Sequence, residues 1–483
     1  MNVLILMSDE HAAGVAGFAG HKTAHTPCLD QLSTQGTCFT AAYTSSPLCV
    51  PARASFATGQ YVHELGAWDN AHAYDGSTPG WGHRLQAAGV RCESIGKLHF
   101  RNANAPTGFD RQIRPMHIHE GIGSVWMLDR SASAAQPERA RNLLRPIGAG
   151  ESKYNTYDRL VAEEAVRWLS DPAKTARPWV LYVGLVAPHY PMTVPREYLD
   201  LYDPDAIELP RLHPRNGHAR HPWVDAMAAY MPIDESLSDP ERQLAQQCYL
   251  GLVSFMDEQI GKVVRALDAS GQRTQTLVIY TSDHGDNLGT RGLWAKGSLY
   301  KESVGIPLIL SGPSVPMGKK CQTPVSIMDL GTTILEASGI GGTSGHGQSL
   351  LPIATSSDDL DRVVFSEFHA VGSPSGGFMV CDGRFKYHYY VGYEPELFDV
   401  LADPDEQEDL AGRQSHRGVL QSFERRLRAI CDPEQMDAQA KLAQQRAMES
   451  FGGASAVRGL GTPGYTPVPD ALLTQLPRST DSD

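Results

Sequence analysis

Three stretches of the sequence carry residue types that could hold a cation beside a nucleophile. Asp9 follows the apolar run Val3-Leu4-Ile5-Leu6-Met7, and Asp283-His284 follow a second run at residues 277–281. In open α/β sheets ligands lie beyond the carboxyl ends of the strands. Two strands would then deliver two carboxylates and an imidazole to one edge, a donor set for a hard divalent cation. Each stretch alone also fits a plain turn. The third is Pro47-Leu48-Cys49-Val50-Pro51-Ala52-Arg53. Pro51 can start a helix that residues 52–58 continue. Cys49 would then stand at a helix N-terminus, where the dipole and free N–H groups favour an anion. An ordinary buried cysteine at that place would be inert.

These residues need a scaffold, and the chain supplies its pattern. Residues 3–7, 179–186, 276–281 and 307–311 read as strands rich in Val, Leu, Ile and Tyr. Thr26-Pro27 reads as a helix start, with Leu29 and Leu32 on one face and Gly36 at the end. Residues 155–170 and 242–267 carry apolar side chains at helical spacing. This alternation predicts an α/β fold with a large, mixed, mostly parallel sheet flanked by helices, over residues 1–355. A Gly/Ser/Asp-rich stretch at 345–362 reads as a linker. Residues 363–368, 377–381 and 385–391 read as strands and 417–430 as a helix, giving a smaller C-terminal α+β subdomain over 356–435. Residues 436–483 read as a tail, either disordered or an arm that packs on a neighbouring subunit of a homo-oligomer.

Lys and Arg total 42 against 55 Asp and Glu, a formal net charge of −13, so bulk electrostatics argue against nucleic acid as partner. The start of the chain has neither the positive region nor the cleavage site of a signal peptide. No run approaches the ~20 apolar residues of a membrane helix. The sequence therefore predicts a cytoplasmic protein without a membrane partner. The eight cysteines include no C-x-x-C pair, so neither a zinc ribbon nor a disulfide framework is indicated.

Cys49-x-Pro51-x-Arg53, extended as Cys49-Val-Pro-Ala-Arg-Ala-Ser-Phe-Ala-Thr-Gly, resembles the signature of the sulfatase family. Further blocks follow in the family's order: Met7-Ser8-Asp9, Gly96-Lys97-Leu98-His99, Ala187-Pro188-His189-Tyr190-Pro191, Thr281-Ser282-Asp283-His284-Gly285-Asp286, Gly292-Leu293-Trp294-Ala295-Lys296-Gly297 and Gly383-Arg384-Phe385-Lys386-Tyr387. Within the family, Gly96-Lys-x-His-Phe100, Asp283-His284 and Gly66-Ala-Trp-Asp-Asn70 look most like choline sulfatases and phosphonate monoester hydrolases.

The resemblance implies an alkaline-phosphatase-like fold and hydrolysis of a small-molecule sulfate ester. It implies that a formylglycine-generating enzyme oxidises Cys49 to formylglycine, whose hydrate attacks sulfur and then expels sulfate. One divalent cation, Ca²⁺ ahead of Mn²⁺ or Mg²⁺, would be held by Asp9, Glu10, residue 49, Asp283 and His284. Lys97, His189 and Lys296 would contact sulfate oxygens, His99 would orient or deprotonate the diol, Arg53 would pair with the diol oxygen or the carboxylates, and Asn70 would bond the substrate. Glu10 stands where relatives carry Asp or Gln, and the tail differs from that of choline sulfatases. Trp126, His117, His119 and Asp129 could line a leaving-group or cation pocket. Alternatives are hydrolysis of a phosphonate monoester or phosphodiester at the same site, or a non-catalytic metal-binding scaffold. A dimer or tetramer is expected.

Overall fold

The first strand decides the layering. In the computed structural model, which describes residues 1–461 and 463–474, β1 (Asn2–Asp9) is buried along its whole length. Leu4 and Leu6 join one hydrophobic cluster, and Val3, Ile5 and Met7 join another on the opposite face. Burial on both faces explains the unbroken apolar run, since each such side chain contributes roughly 1.5–3 kcal/mol when fully buried.

The strands β2 (Thr37–Phe39), β3 (Arg91–Lys97), β4 (Arg111–Met116), β5 (Trp179–Pro188), β6 (Thr276–Ser282), β7 (Leu308–Ser311) and β8 (Lys319–Cys321) complete an eight-stranded sheet of order β8-β2-β7-β6-β1-β5-β3-β4. From β6 to β4 all neighbours are parallel, while β7 runs antiparallel to β6 and β2. The strand expected at 307–311 is thus the one that makes the sheet mixed. α1 (Pro27–Thr34) starts on its proline, with Leu29 and Leu32 buried, and ends two residues before Gly36, with Gln35 as its cap. α2 (Cys49–Thr58) carries the cysteine. On the Leu4/Leu6 face pack α3 (Lys153–Ser170) and α4 (Asp239–Ala269); α4 begins before its expected start, where Ser238 and Glu241 form a capping box. On the other face lie α2 and α5 (Asp329–Ala337).

The C-terminal subdomain is a four-stranded antiparallel meander, β9 (Val364–Phe368), β10 (Gly377–Cys381), β11 (Phe385–Tyr390) and β12 (Glu396–Asp399), with α6 (Arg417–Ile430) against it. The last strand escaped the sequence pattern because Glu396 and Asp399 flank only two apolar residues, yet Glu396 is buried and accepts hydrogen bonds from the Tyr300 and Tyr390 hydroxyls.

The stretch read as a tail or arm is helical and packed over much of its described part. α7 (Pro433–Ser450) buries Ala440 against Val62 and Trp68. Val457 packs on Val125 and Leu128, and Val468 enters the main core. These segments pack on their own chain; the contacts are sparse alanines and valines among Gln, Gly and Pro, too dilute for a periodic signal. Residues 475–483 of the expected arm lie outside the described residues. No helix among the described residues is long and apolar enough to cross a membrane, and all eight cysteines are free.

Candidate active site

α2 begins at the cysteine itself. Leu48 before it is extended, every residue of the helix is buried, and Gly59 closes it with φ 73°. A β-carbon at Gly59 would meet the Ser344 carbonyl oxygen at 2.1 Å, so glycine is required both by conformation and by space. Pro51 falls in the first turn, where its missing N–H has no helical partner to lose. Asn70 Oδ1 accepts the Val50 N–H at 3.1 Å, so the side chain expected to bond substrate also caps this helix.

Four donors converge at the head of α2. Cys49 Sγ lies 3.1 Å from His284 Nε2 and 3.6 Å from Asp9 Oδ1. The ligand atoms of Asp9, Cys49, Asp283 and His284 all fall within 4.8 Å of one another, and all four residues are buried. Strand register puts them there: β1 and β6 pair in parallel up to Ser8↔Ser282, so Asp9 and Asp283 leave the sheet side by side. His284 Nδ1 donates to the Gly285 carbonyl at 2.9 Å, which turns the Nε2 lone pair toward Cys49.

Two cations hold the carboxylates. Arg53 Nε reaches Asp283 Oδ2 at 2.7 Å and Nη2 reaches Asp9 Oδ2 at 3.0 Å. Its Nη1 donates to the Lys97 carbonyl and the Tyr182 hydroxyl, both at 2.9 Å. Lys97 Nζ lies 2.7 Å from Asp9 Oδ2. Gly96 precedes it at φ 95°, and a β-carbon there would meet the Gly184 carbonyl oxygen of β5 at 2.1 Å. Burial works to raise the Asp9 carboxyl, but Lys97, His189, Arg53 and Lys296 outweigh it and hold it well below the usual range. Carboxylate oxygens, an imidazole nitrogen with a free lone pair and an oxygen in place of Sγ fit one divalent cation.

Glu10 is placed outside this group. Its Oε2 is 2.8 Å from Lys296 Nζ and 3.3 Å from His189 Nε2. With Asp9 and His189 it forms a second set of donors within 4.8 Å. Its backbone sits at φ 68°, pinned by its N–H on Asp283 Oδ1 and by the Tyr249 hydroxyl on its carbonyl, with its carboxylate beside Lys296 and His189. Burial, only partly opposed by Lys296, raises its carboxyl well above the usual range. Burial likewise pushes the Cys49 thiol up to about 12, so the unmodified residue is a poor nucleophile.

His189 follows β5, whose end is fixed by Asp158 of α3 accepting the Val186 and Ala187 N–H groups at 2.8 and 2.7 Å. Its Nδ1 donates to the Tyr190 carbonyl at 2.6 Å, leaving Nε2 facing Glu10 and Asp9. His99 follows β3 at φ 59°, with its N–H on the Met116 carbonyl and Nε2 2.7 Å from Thr466 Oγ1. Burial, then Lys97, lowers its basicity.

A cavity of about 280 Å³ opens from Lys296 and Tyr190 toward Leu48, Trp126, Met127 and Trp294. Of the acids on its wall, Asp225 pairs with Arg220 at 2.7 Å and Asp234 with Arg242 at 2.8 Å and His213 at 2.9 Å, while Glu235 is exposed and makes no ion pair among the described residues. Of the four loop residues considered for a cation pocket, only Trp126 lines it, and the Arg139 guanidinium lies 4.6 Å from the centre of its ring. His117 bonds Gln112, Asp129 bonds Ser131, and His119 lies beside Glu120. Sequence reasoning missed Tyr182, Tyr190 as a wall, and Thr466. Tyr182 was signalled as a lone hydroxyl within an apolar strand; for Thr466 the sequence holds no signal.

The large mixed sheet, its flanking helices and the small antiparallel sheet define the alkaline-phosphatase-like class of hydrolase folds. The solved phosphonate monoester hydrolase SpPMH from Silicibacter pomeroyi superposes with a TM-score of 0.71 at 25% identity, over 88% of this chain and 94% of that one. The sulfatase family model matches residues 1–340, and that of the N-sulphoglucosamine sulphohydrolase C-terminal region matches residues 289–432. The chain belongs to the sulfatase family and is a sulfuric ester hydrolase. It is 29% identical to a choline-sulfatase of Rhizobium meliloti over 92% of this chain and 90% of the relative, and 26% identical to arylsulfatase K of Bos taurus over 90% and 83%.

Proposed function

We propose that the protein hydrolyses the sulfate ester of a small uncharged alcohol, using a formylglycine made from Cys49 by a formylglycine-generating enzyme and one divalent cation. The observation that carries this is the meeting of Cys49, Asp9, Asp283 and His284 within 4.8 Å, with Arg53 spanning both carboxylates. The cation, Ca²⁺ ahead of Mn²⁺ or Mg²⁺, would be held by Asp9, Asp283, His284 and an oxygen at position 49, and supplies charge neutralisation. The formylglycine supplies a covalent nucleophile. Lys97 and Lys296 bind sulfate oxygens from opposite sides of Asp9 and Glu10, and Lys296 gives the leaving oxygen its proton with His189 beside it. His99 takes a proton from the group at position 49.

The leaving alcohol enters the cavity that begins at Lys296. The choline in the Rhizobium relative's name would need an anionic or open aromatic wall. Here Asp225 and Asp234 are paired, Glu235 is exposed to solvent, and Arg139 covers Trp126, which supports an uncharged alcohol with apolar or aromatic surface. Peptide mass spectrometry of protein made beside the oxidising enzyme should find an aldehyde at position 49, and Cys49→Ala should abolish turnover. Full activity of Cys49→Ala on sulfate esters overturns the reading. The likeness to SpPMH supports a second reading, cleavage of phosphonate monoesters or phosphodiesters at the same site. Parallel kcat/KM values on an aryl sulfate and a phosphonate monoester separate the two.

A further inference from the structure

We infer that residues 463–474 are a strap that forms part of the active site, and that the Thr466 hydroxyl is the positioning group for His99. The inference rests on the reading above in one respect, that His99 works on the group at position 49.

Three contacts bring the strap to the site. Thr466 Oγ1 is 2.7 Å from His99 Nε2. The Tyr465 ring stands edge-on to His189 and to Tyr190, 6.4 and 5.9 Å between centroids. Gly464 lines the same cavity as Lys296. The strap is fastened at Thr466 and at points beyond it. Its own carbonyl accepts from the Tyr154 hydroxyl, Val468 is buried in the main core, and Arg114 Nη1 donates to the carbonyls of Leu472 and Thr474 at 2.8 and 2.7 Å. Arg114 is itself buried and held by Glu164 at 3.0 Å. A loosely draped segment would not recruit a buried arginine.

The His99 ring needs this bond. Its backbone is in the left-handed region that a side chain rarely adopts, and is fixed there by Met116. That fixes the Cα–Cβ direction but leaves the ring free to turn about its last torsion. The other ring nitrogen, Nδ1, is buried without a hydrogen-bond partner among the described residues. Among the described residues, Thr466 therefore makes the one polar contact that selects a ring orientation and tautomer. The surrounding cations Lys97, Arg53 and Lys296 favour a lone pair over a second N–H on the unpartnered nitrogen. Thr466 Oγ1 accepts the Nε2 proton, and Nδ1 keeps the lone pair that a proton acceptor requires.

The test uses the full chain labelled with ¹⁵N-histidine, with Cys49 unmodified, and the His99 signals assigned by their loss in His99→Asn. In wild type and T466S, Nε2 should show a pyrrole-type shift and Nδ1 a pyridine-type shift. In T466V, which keeps the shape of threonine, the two should average or exchange. In matured enzyme T466V should lower kcat about 10–100-fold with KM within about threefold, the usual range for removing a group that orients a site residue, while T466S stays within about threefold of wild type. Wild-type His99 shifts in folded T466V overturn the inference. So does a T466S loss as large as that of T466V, or a rise in KM with kcat unchanged, which would make the strap a pocket wall only. Absence of an aldehyde at position 49 with the shifts as expected would sink the proposed function and leave the positioning contact standing.

Discussion

At the residue scale the site is a balance of buried charge. Asp9 and Asp283 share Arg53, Asp9 also takes Lys97, and Glu10 takes Lys296. Removing one partner of a buried pair costs about 3–5 kcal/mol, because the other is left unpaired. Arg53→Met should therefore lower stability by an amount of that order in thermal or urea melts, and Ca²⁺ should restore part of it by neutralising the freed carboxylates. Glu10 makes a sharper case. Placed beside Lys296 and His189, it should act on the cation through its neighbours. Glu10→Gln should weaken Ca²⁺ binding by about 10–100-fold in calorimetry, the range for outer groups, and Asp283→Asn by more. Equal losses would return Glu10 to the inner donors. Asp9, Cys49 and Asp283-His284 were candidates from the runs that carry them, but each run also fitted a plain turn or an inert cysteine, and it was the resemblance that singled them out and gave Arg53 its role. Glu10's place was not legible, because it depends on a left-handed backbone and on Lys296, 286 residues away.

At the element scale α2 is the part that must be right. It is buried at every position, so no exposed face helps define it, and the sequence reading rested on Pro51 as a start and on residues 52–58 to continue it. Its first turn is held by Asn70 Oδ1 on the Val50 N–H. Asn70→Ala leaves that buried donor unmet and should cost about 1–3 kcal/mol, read in melts of protein without substrate. A loss in kcat/KM with no loss of stability would show instead that the amide serves the substrate alone. Neighbouring Asp69 is gripped by Gln444 of α7 at 2.9 Å, so the helix taken for a tail steadies the loop that caps α2. That link was illegible: glutamines on a polar helix give no sign of where they point.

At the scale of the whole molecule, the subdomain is stapled to the sheet domain by a buried triad. Glu367 of β9 accepts from His63 Nδ1 at 2.8 Å and from His369 Nε2 at 2.9 Å. Burial would raise its carboxyl, but the two histidines outweigh burial and bring it down to about 2 from 4.5. A carboxyl lowered by folding stabilises above its unfolded value and loses that contribution as pH falls from 4.5 toward 2. His63 is raised, so its share is full below 6.5 and fades as pH rises through its folded value. Glu367→Gln should lower stability near pH 6 by on the order of 3 kcal/mol, with the gap to wild type closing between pH 4.5 and 2. Of the parallel block, β1, β5 and β6 were readable as apolar runs, while β3 and β4, which mix charged residues with apolar ones, were not; this staple joins polar residues 304 positions apart. The same distance problem governs synthesis. β1 pairs only with β5 and β6, the latter ending at Ser282. At about 5–20 residues per second on the ribosome, the run Val3–Met7 waits roughly 15–60 s for its second neighbour. During that wait a bare, sticky strand is open to wrong partners, so yield of folded protein should rise with slower, cooler expression or with added chaperone.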